Sequence, residues 1–218
     1  SGSFDANDYI LPKFGQFVAQ NIQRSQSDVL VGWSSATLEA ITFAQAAGKA
    51  VVIDRGASHI RSQNIILNEA YREAGLEFPG IPRNVMDREE AEYEAADKIL
   101  VPSTHAASSF RDNNVPAEKV AVVPLVVDFT RFSAERTAAK GGKPKIVFVG
   151  SVGIRKGSHH LLNAFSRLGP AAELHLVGPM DSAFKTLLSS LPVENVVFHG
   201  ALAKDRLASI YSGADVFC

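Results

Sequence analysis

Short apolar runs alternate with helical patterns along nearly the whole chain, and no other feature limits the fold as much. DVLVG at 28–32, AVVI at 50–53, KILV at 98–101 and KVAVV at 119–123 read as strands, as do KIVFV at 145–149, ELHLV at 173–177, NVVF at 195–198 and the final DVF. Each run is too short for a helix, while the stretches between them carry helical periodicity. Buried strands separated by helices pair in parallel through right-handed crossovers. One polar, glycine-rich tract, ERTAAKGGKP, interrupts the series and reads as a linker. The expectation is α/β: two doubly wound parallel-sheet domains, 1–135 and 145–218, joined by a linker at 136–144. The chain enters at a helix and stops on a strand just begun, so both domains are expected to be incomplete.

Within the first block, helices are expected over Tyr9–Arg24, from a Ser34 or Ser35 cap to Gly48, and from the Ala57-Ser58-His59 loop to about Gly75. A further helix starts at a Ser103 cap and runs to about Asn113. The acidic run DREEAEYEA, 87–95, reads as the solvated face of an amphipathic helix with Tyr93 and Ala96 inward. Glu92 and Glu94 are expected to project to different sides, and Trp33 to pack at a strand end.

Composition removes several function classes. A net charge of -1 over 218 residues argues against a general nucleic-acid binder. One cysteine, Cys218, forms no disulfide within the chain, which favours a reducing, cytoplasmic setting. No apolar run reaches the roughly 20 residues of a membrane helix, and peripheral membrane contact stays compatible with the sequence.

The stretch KIVFVGSVGIRKG, 145–157, carries the clearest chemistry. A strand runs into Gly150, a short loop holds Ser151 and Gly153, and Arg155, Lys156 and Gly157 precede the helix SHHLLNAFSRL. A strand, a tight turn and a helix start flanked by cations can hold an anion through free amides and the helix dipole. The loop is not a Walker motif, because Arg155 and Gly157 stand where glycine and Ser or Thr are needed. The spacing of Gly150 and Gly153 also fails the dinucleotide fingerprint. Strands end in Gly150, Gly178 and Gly200, at the sheet edge where parallel α/β domains bind ligands. The same residues also fit plain turns with solvated cations. His159 and His160, adjacent on a helix, are expected to point apart, and His105, His175 and His199 lack ligand spacing, so no metal is expected.

FVGSVGIRKG, followed by LLNAF, LHLVG, NVVFHG and LASIYSGADVF, resembles the donor-binding domain of the group one, family-four retaining glycosyltransferases of the GT-B fold. REEAEYEAADKILVPS, SSFRDNNVP and KVAVVPLVVDFTRF resemble the end of that family's acceptor domain, with Asp128 in a Val-Asp turn. DRGASHIRSQ resembles a subgroup with an arginine-glycine-serine-histidine loop after the strand.

The resemblance implies two Rossmann-like domains and a nucleotide-sugar donor. It implies transfer with retention to an acceptor hydroxyl on a glycan, lipid or small molecule, with no cofactor and no metal. In the family an arginine after the first glycine and a lysine five positions on grip the donor diphosphate. Lys156 matches the lysine, Ser151 stands at the arginine position, and Arg155 is placed to compensate. Gly150 and Gly153 shape the loop, while Gly178 and the Phe198–His199 backbone match the positions that hold the nucleoside. His59 matches a histidine that contacts the transferred sugar, is expected to face the cleft between the domains, and has Arg55 beside it to position substrate. His59 and Lys156 are therefore the catalytic candidates. The family's glutamate pair belongs just beyond Cys218 and its glycine-rich acceptor loop before the first residue, so the chain alone is expected to be inactive or nearly so. Two alternatives stand beside the transferase: a non-catalytic nucleotide-sugar-binding domain, for which Ser151 speaks, and a sugar epimerase of the same fold.

Overall fold

The computed structural model describes residues 6–127 and 142–218. They form two compact units: residues up to Asn68 with Pro79–Val126, and Glu69–Phe78 with the residues after 126. The linear order of the sequence had assigned Glu69–Phe78 to the first block. In the structure its Ala70, Tyr71, Ala74 and Leu76 pack against the core of the second unit. The linker expected at 136–144 is described only at 142–144, and Asp128 lies outside the described residues.

The first unit contains a parallel sheet in the order β1 (Val29–Trp33), β2 (Ala50–Asp54), β3 (Lys98–Val101) and β4 (Val120–Val122). Alternation along the strands turns Val51 and Ile53 of β2, with Ile99 and Val101 of β3, into one buried layer. Helices α2 (Leu38–Ala46), α4 (Arg83–Ala95) and α5 (Thr104–Asp112) cover it with Ile41, Ala44, Tyr93, Ala106 and Phe110, together with Ala96 just past the end of α4. The Ser103 cap is present: its hydroxyl accepts the Ala106 N–H at 3.2 Å. Helix α1 (Ala6–Ile22) buries Ala19 and Ile22 but leaves Ile10, Phe14 and Phe17 exposed. Trp33 does not pack at its strand end; 67% of its surface is exposed.

The second unit's sheet runs in the order β7 (Val196–Gly200), β6 (Glu173–Val177), β5 (Lys145–Val149) and β8 (Val216–Phe217), all parallel. The chain steps outward from β5 to β7 and then returns to the other side of β5. That reversal is a topological switch point, and in open α/β sheets the crevice beyond the strand ends at this point takes the ligand. Phe148, Leu174 and Leu176 form the core with Leu162 and Phe165 of α6 (Ser158–Phe165) and Phe184 of α7 (Ser182–Leu187). Helix α3 (Ile60–Glu73), which begins in the first unit, and α8 (Lys204–Ser212) complete the α-helices of the described residues. Among the described residues no helix is long and apolar enough to cross a membrane.

Candidate functional site

The end of β5 is held in place by backbone contacts. The Gly150 N–H donates to the Val177 carbonyl at 2.8 Å, and the Gly178 N–H to the Gly200 carbonyl at 2.8 Å. A Cβ on Gly178, at φ +143°, would lie 1.8 Å from the Gly150 carbonyl oxygen. Glycine is required there because two rim backbones touch, whatever ligand approaches. Beyond the glycines the chains stay paired: Val152 N–H donates to the Pro179 carbonyl at 2.8 Å and Asp181 N–H to the Val152 carbonyl at 3.0 Å.

The loop then closes on itself. Gly153 donates its N–H to the Ser158 hydroxyl at 3.0 Å, and its carbonyl accepts from Lys156 N–H at 3.2 Å and Ser158 N–H at 3.1 Å. Arg155 and Lys156 therefore lie on a separate 3₁₀ turn, Ile154–Lys156, ahead of α6 rather than on the helix itself. Gly157, at φ +69°, makes the left-handed break between turn and helix. Among the described residues, the Ser151, Ile154 and Arg155 amides face no acceptor, while the Gly153 amide is already taken. Arg155 and Lys156 are exposed and have no carboxylate partner among the described residues. The adjacent end of β8 is tied in by Cys218 N–H donating to the Val147 carbonyl at 2.9 Å. This loop is a concentration of free donors and positive charge at the switch point.

Of the other rim residues, Phe198 is partly exposed and His199 turns elsewhere. The β6–β7 register slips between Leu176 and Val177, which pair with Phe198 and Gly200, so His199 is the extra residue of a bulge. Its ring stacks on His175, shares a 2.9 Å hydrogen bond with it, and burial lowers its pKa, aided by His175 and Arg206. Glu173 lies 3.4 Å from the other His175 nitrogen. The histidine pair lines a cavity of about 260 Å³ with Lys145, Val147 and Ser209, on the sheet face under α8. His175 and His199, which lacked ligand spacing in the sequence, are brought together by strand register alone. His159 and His160 do not point apart either: their ring centroids are 3.9 Å apart, and His159 is buried with neither ring nitrogen hydrogen-bonded. Among the described residues no group of three or more His, Cys, Asp or Glu side chains is arranged to hold a metal.

In the first unit Arg55 is buried in an ion pair with Glu89 at 3.0 Å and donates to Gln63 Oε1 at 2.7 Å and the Ser58 carbonyl at 3.1 Å. Glu89 also accepts from the Ser35 hydroxyl at 2.5 Å and from the Tyr93 hydroxyl. Among the described residues, the Arg55 partners Glu89, Gln63, Ser58 and Ser34 all belong to the first unit. His59 is 3% exposed, with its ring centroid 5.1 Å from both Tyr93 and Phe110. Its Nδ1 accepts the Arg61 N–H at 3.3 Å, and its own N–H donates to the Ser109 hydroxyl at 2.8 Å. Burial lowers its pKa to about 4; Glu90 opposes this, and Arg55 and Arg61 add to it. A cavity of about 340 Å³ borders the ring, lined also by Glu90, Tyr93 and Asn113.

The acidic helix is not wholly solvated. Glu92 is fully buried and accepts the N–H groups of Ser35, Thr37 and Leu38 at 2.6, 2.8 and 2.9 Å. It caps α2 in place of the serine expected from local sequence. Burial raises its pKa, opposed by those donors and by Arg88. The spacing of Glu89, Glu92 and Tyr93 was the available signal, since residues three and four apart share a helix face.

Known proteins resemble this chain in sequence and in fold. Residues 129–218 match the family described as glycosyl transferases group 1. Over 145 residues the chain is 28% identical to the "Putative colanic acid biosynthesis glycosyltransferase WcaL" of Escherichia coli (strain K12), covering 62% of this chain and 36% of that protein. Anabaena HepE in complex with UDP superposes with a TM-score of 0.66 at 14% identity, over 96% of this chain and 56% of that one. UDP-GlcNAc 2-epimerase from Neisseria meningitidis superposes with a TM-score of 0.52 at 11% identity, over 100% of this chain and 61% of that one. The fold is α/β of the GT-B type, and the chain spans about a third of the length of the curated relative.

Proposed function

We propose, from the match of residues 129–218 to the group 1 glycosyl transferases, that this chain is the donor-holding part of an enzyme that moves a sugar from a nucleoside-diphosphate sugar to an acceptor hydroxyl. The observation that carries the proposal is the 151–156 loop: three amides and two cations without a partner among the described residues, at the switch point of the second sheet. HepE, of the same fold, was solved with UDP bound, which supports a uridine-type donor.

In this reading the loop's role is electrostatic. As the bond from sugar to phosphate oxygen breaks, negative charge grows on the leaving diphosphate. The Lys156 ammonium, the Arg155 guanidinium and the loop amides stabilise that charge, and donors fixed in advance cost no reorganisation. Arg155 takes the place of the cation that Ser151 lacks. The two cations are neighbours on a 3₁₀ turn, about 120° apart around its axis, so their long flexible stems, and not the backbone, bring both charges to the diphosphate. Retention follows if the acceptor attacks on the face the diphosphate leaves, with a phosphate oxygen taking its proton. The charge comes from side chains and amides, so no metal enters this reading. Acceptors are a glycan, a lipid or a small molecule, and the setting is cytoplasmic, with membrane contact where the acceptor is a lipid. Arg55 and His59 are assigned to the structure of the first unit. The family match favours transfer over epimerisation, and over simple binding of a nucleotide sugar.

Binding of UDP, GDP and inorganic pyrophosphate to the chain by isothermal titration calorimetry tests the proposal. One charged contact to a phosphate is worth about 1.5–3 kcal/mol, so Lys156→Ala should bind about 10-fold or more weakly. Equal binding by wild type and Lys156→Ala refutes the assignment.

A further inference from the structure

We infer that Ser158 is a positioning residue for the diphosphate loop: its hydroxyl anchors Gly153, the residue from which the turn carrying the Ile154 and Arg155 amides starts. The inference deepens the donor-site reading and rests on it.

Ser158 is fully buried at the first position of α6. Its hydroxyl accepts the Gly153 N–H at 3.0 Å while its own N–H donates to the Gly153 carbonyl at 3.1 Å. One serine thus holds both sides of Gly153 and closes the loop into a ring. The opposite side of Gly153 has no free space, because a Cβ there would lie 1.6 Å from the Asp181 carboxylate. The preceding residue is clamped as well, Val152 being bridged in parallel to Met180. Gly153 is therefore gripped from behind by Asp181 and Val152, and from the helix side by Ser158.

Among the described residues, the loop amides left unpaired are those of Ser151, Ile154 and Arg155. Two of the three follow Gly153 directly, so their directions depend on its carbonyl and on the turn it starts. Without the Ser158 hydroxyl, the buried Gly153 N–H loses its acceptor. It then stays unpaired at a cost, or the Val152–Gly153 peptide turns toward another acceptor and shifts Gly153, where the Ile154–Lys156 turn begins, although the Gly153 carbonyl keeps its Lys156 and Ser158 backbone donors. Packing does not demand oxygen at this position, since alanine has nearly the same volume. The hydroxyl's function is orientation. A loop whose donors are already in place loses less on binding an anion than one that must be ordered by it.

The test uses the 218-residue chain as wild type, Ser158→Ala, Ser158→Thr and Lys156→Ala, each with a thermal melt. Affinity for UDP and for inorganic pyrophosphate is read by calorimetry. The amide signals of Ser151, Ile154 and Arg155 are followed by ¹H–¹⁵N NMR during the pyrophosphate titration. Ser158→Ala should bind both ligands about 3- to 10-fold more weakly, the loss of one neutral hydrogen bond. Its Ile154 and Arg155 amides should lose their ligand-induced shifts, and Ser158→Thr should restore both readouts. Wild-type affinity in Ser158→Ala, or unchanged amide shifts, overturns the inference while leaving the donor site standing if Lys156→Ala still weakens binding. A Ser158→Thr variant that melts with wild type but binds as weakly as alanine also overturns it. If wild type binds neither ligand, the donor-site reading fails first and takes the inference with it.

Discussion

Acid should destabilise the first unit through His59, and the size of the effect follows from its burial. The imidazole is enclosed by Tyr93 and Phe110 and its pKa falls from 6.5 to about 4. The folded state thus holds the ring neutral where the unfolded chain would protonate it. A group with a depressed folded pKa adds stability above its unfolded pKa, and that stability is lost as pH falls toward the folded value. From pH 7 to about pH 5 the unfolded histidine takes up most of its proton and the folded one almost none. At about 1.4 kcal/mol per pKa unit, His59 alone should remove about 2 kcal/mol over that range and about 3 kcal/mol by pH 4. Glu90, Arg55 and Arg61 are the charged groups nearest in effect, and the two arginines oppose protonation. His59→Asn keeps an acceptor for the Arg61 N–H while removing the titration. Its cavity cost does not vary with pH. Urea denaturation of both proteins at pH 7 and pH 5 should show the wild type losing about 2 kcal/mol more than the variant. An NMR titration of the His59 ring should place its midpoint near 4. Parallel stability curves, or a ring that titrates near 6.5, would refute the burial argument.

The rim and the buried ion pair give two more expectations. Gly178→Ala forces a Cβ to 1.8 Å from the Gly150 carbonyl at a positive φ, so the second unit should lose at least about 3 kcal/mol by thermal or urea unfolding. An unaltered melt would show that the two rim backbones are not in contact. Arg55→Met leaves Glu89 buried with only hydroxyl donors and should cost about 3–5 kcal/mol, with much of the loss recovered in Arg55→Met/Glu89→Gln. A double variant no more stable than the single would mean that an unpaired carboxylate is not the source of the cost.

Local pattern determined the architecture of this protein. β3 was legible at Lys98–Val101 and β6 at Glu173–Val177 to the residue, because runs of β-branched and leucine side chains bounded by helical periodicity admit few other structures. The turn and helix start after β5 were legible too, since strand, loop and helix follow one another within one short continuous stretch. Tertiary structure decided which donors in that loop are free. Ser158 occupies the Gly153 amide from five residues away, leaving Ser151, Ile154 and Arg155. It also decided what the histidines and acids do. His59 was withdrawn into an aromatic core, His199 was turned onto His175 by a one-residue bulge, and Glu92 was carried to the mouth of α2. Periodicity reports which face of an element is apolar, but a polar side chain takes its role from the partner opposite it. Here that partner lies on another strand or helix, up to 57 residues away in the chain, as Glu92 does from Ser35, and only packing brings the two together.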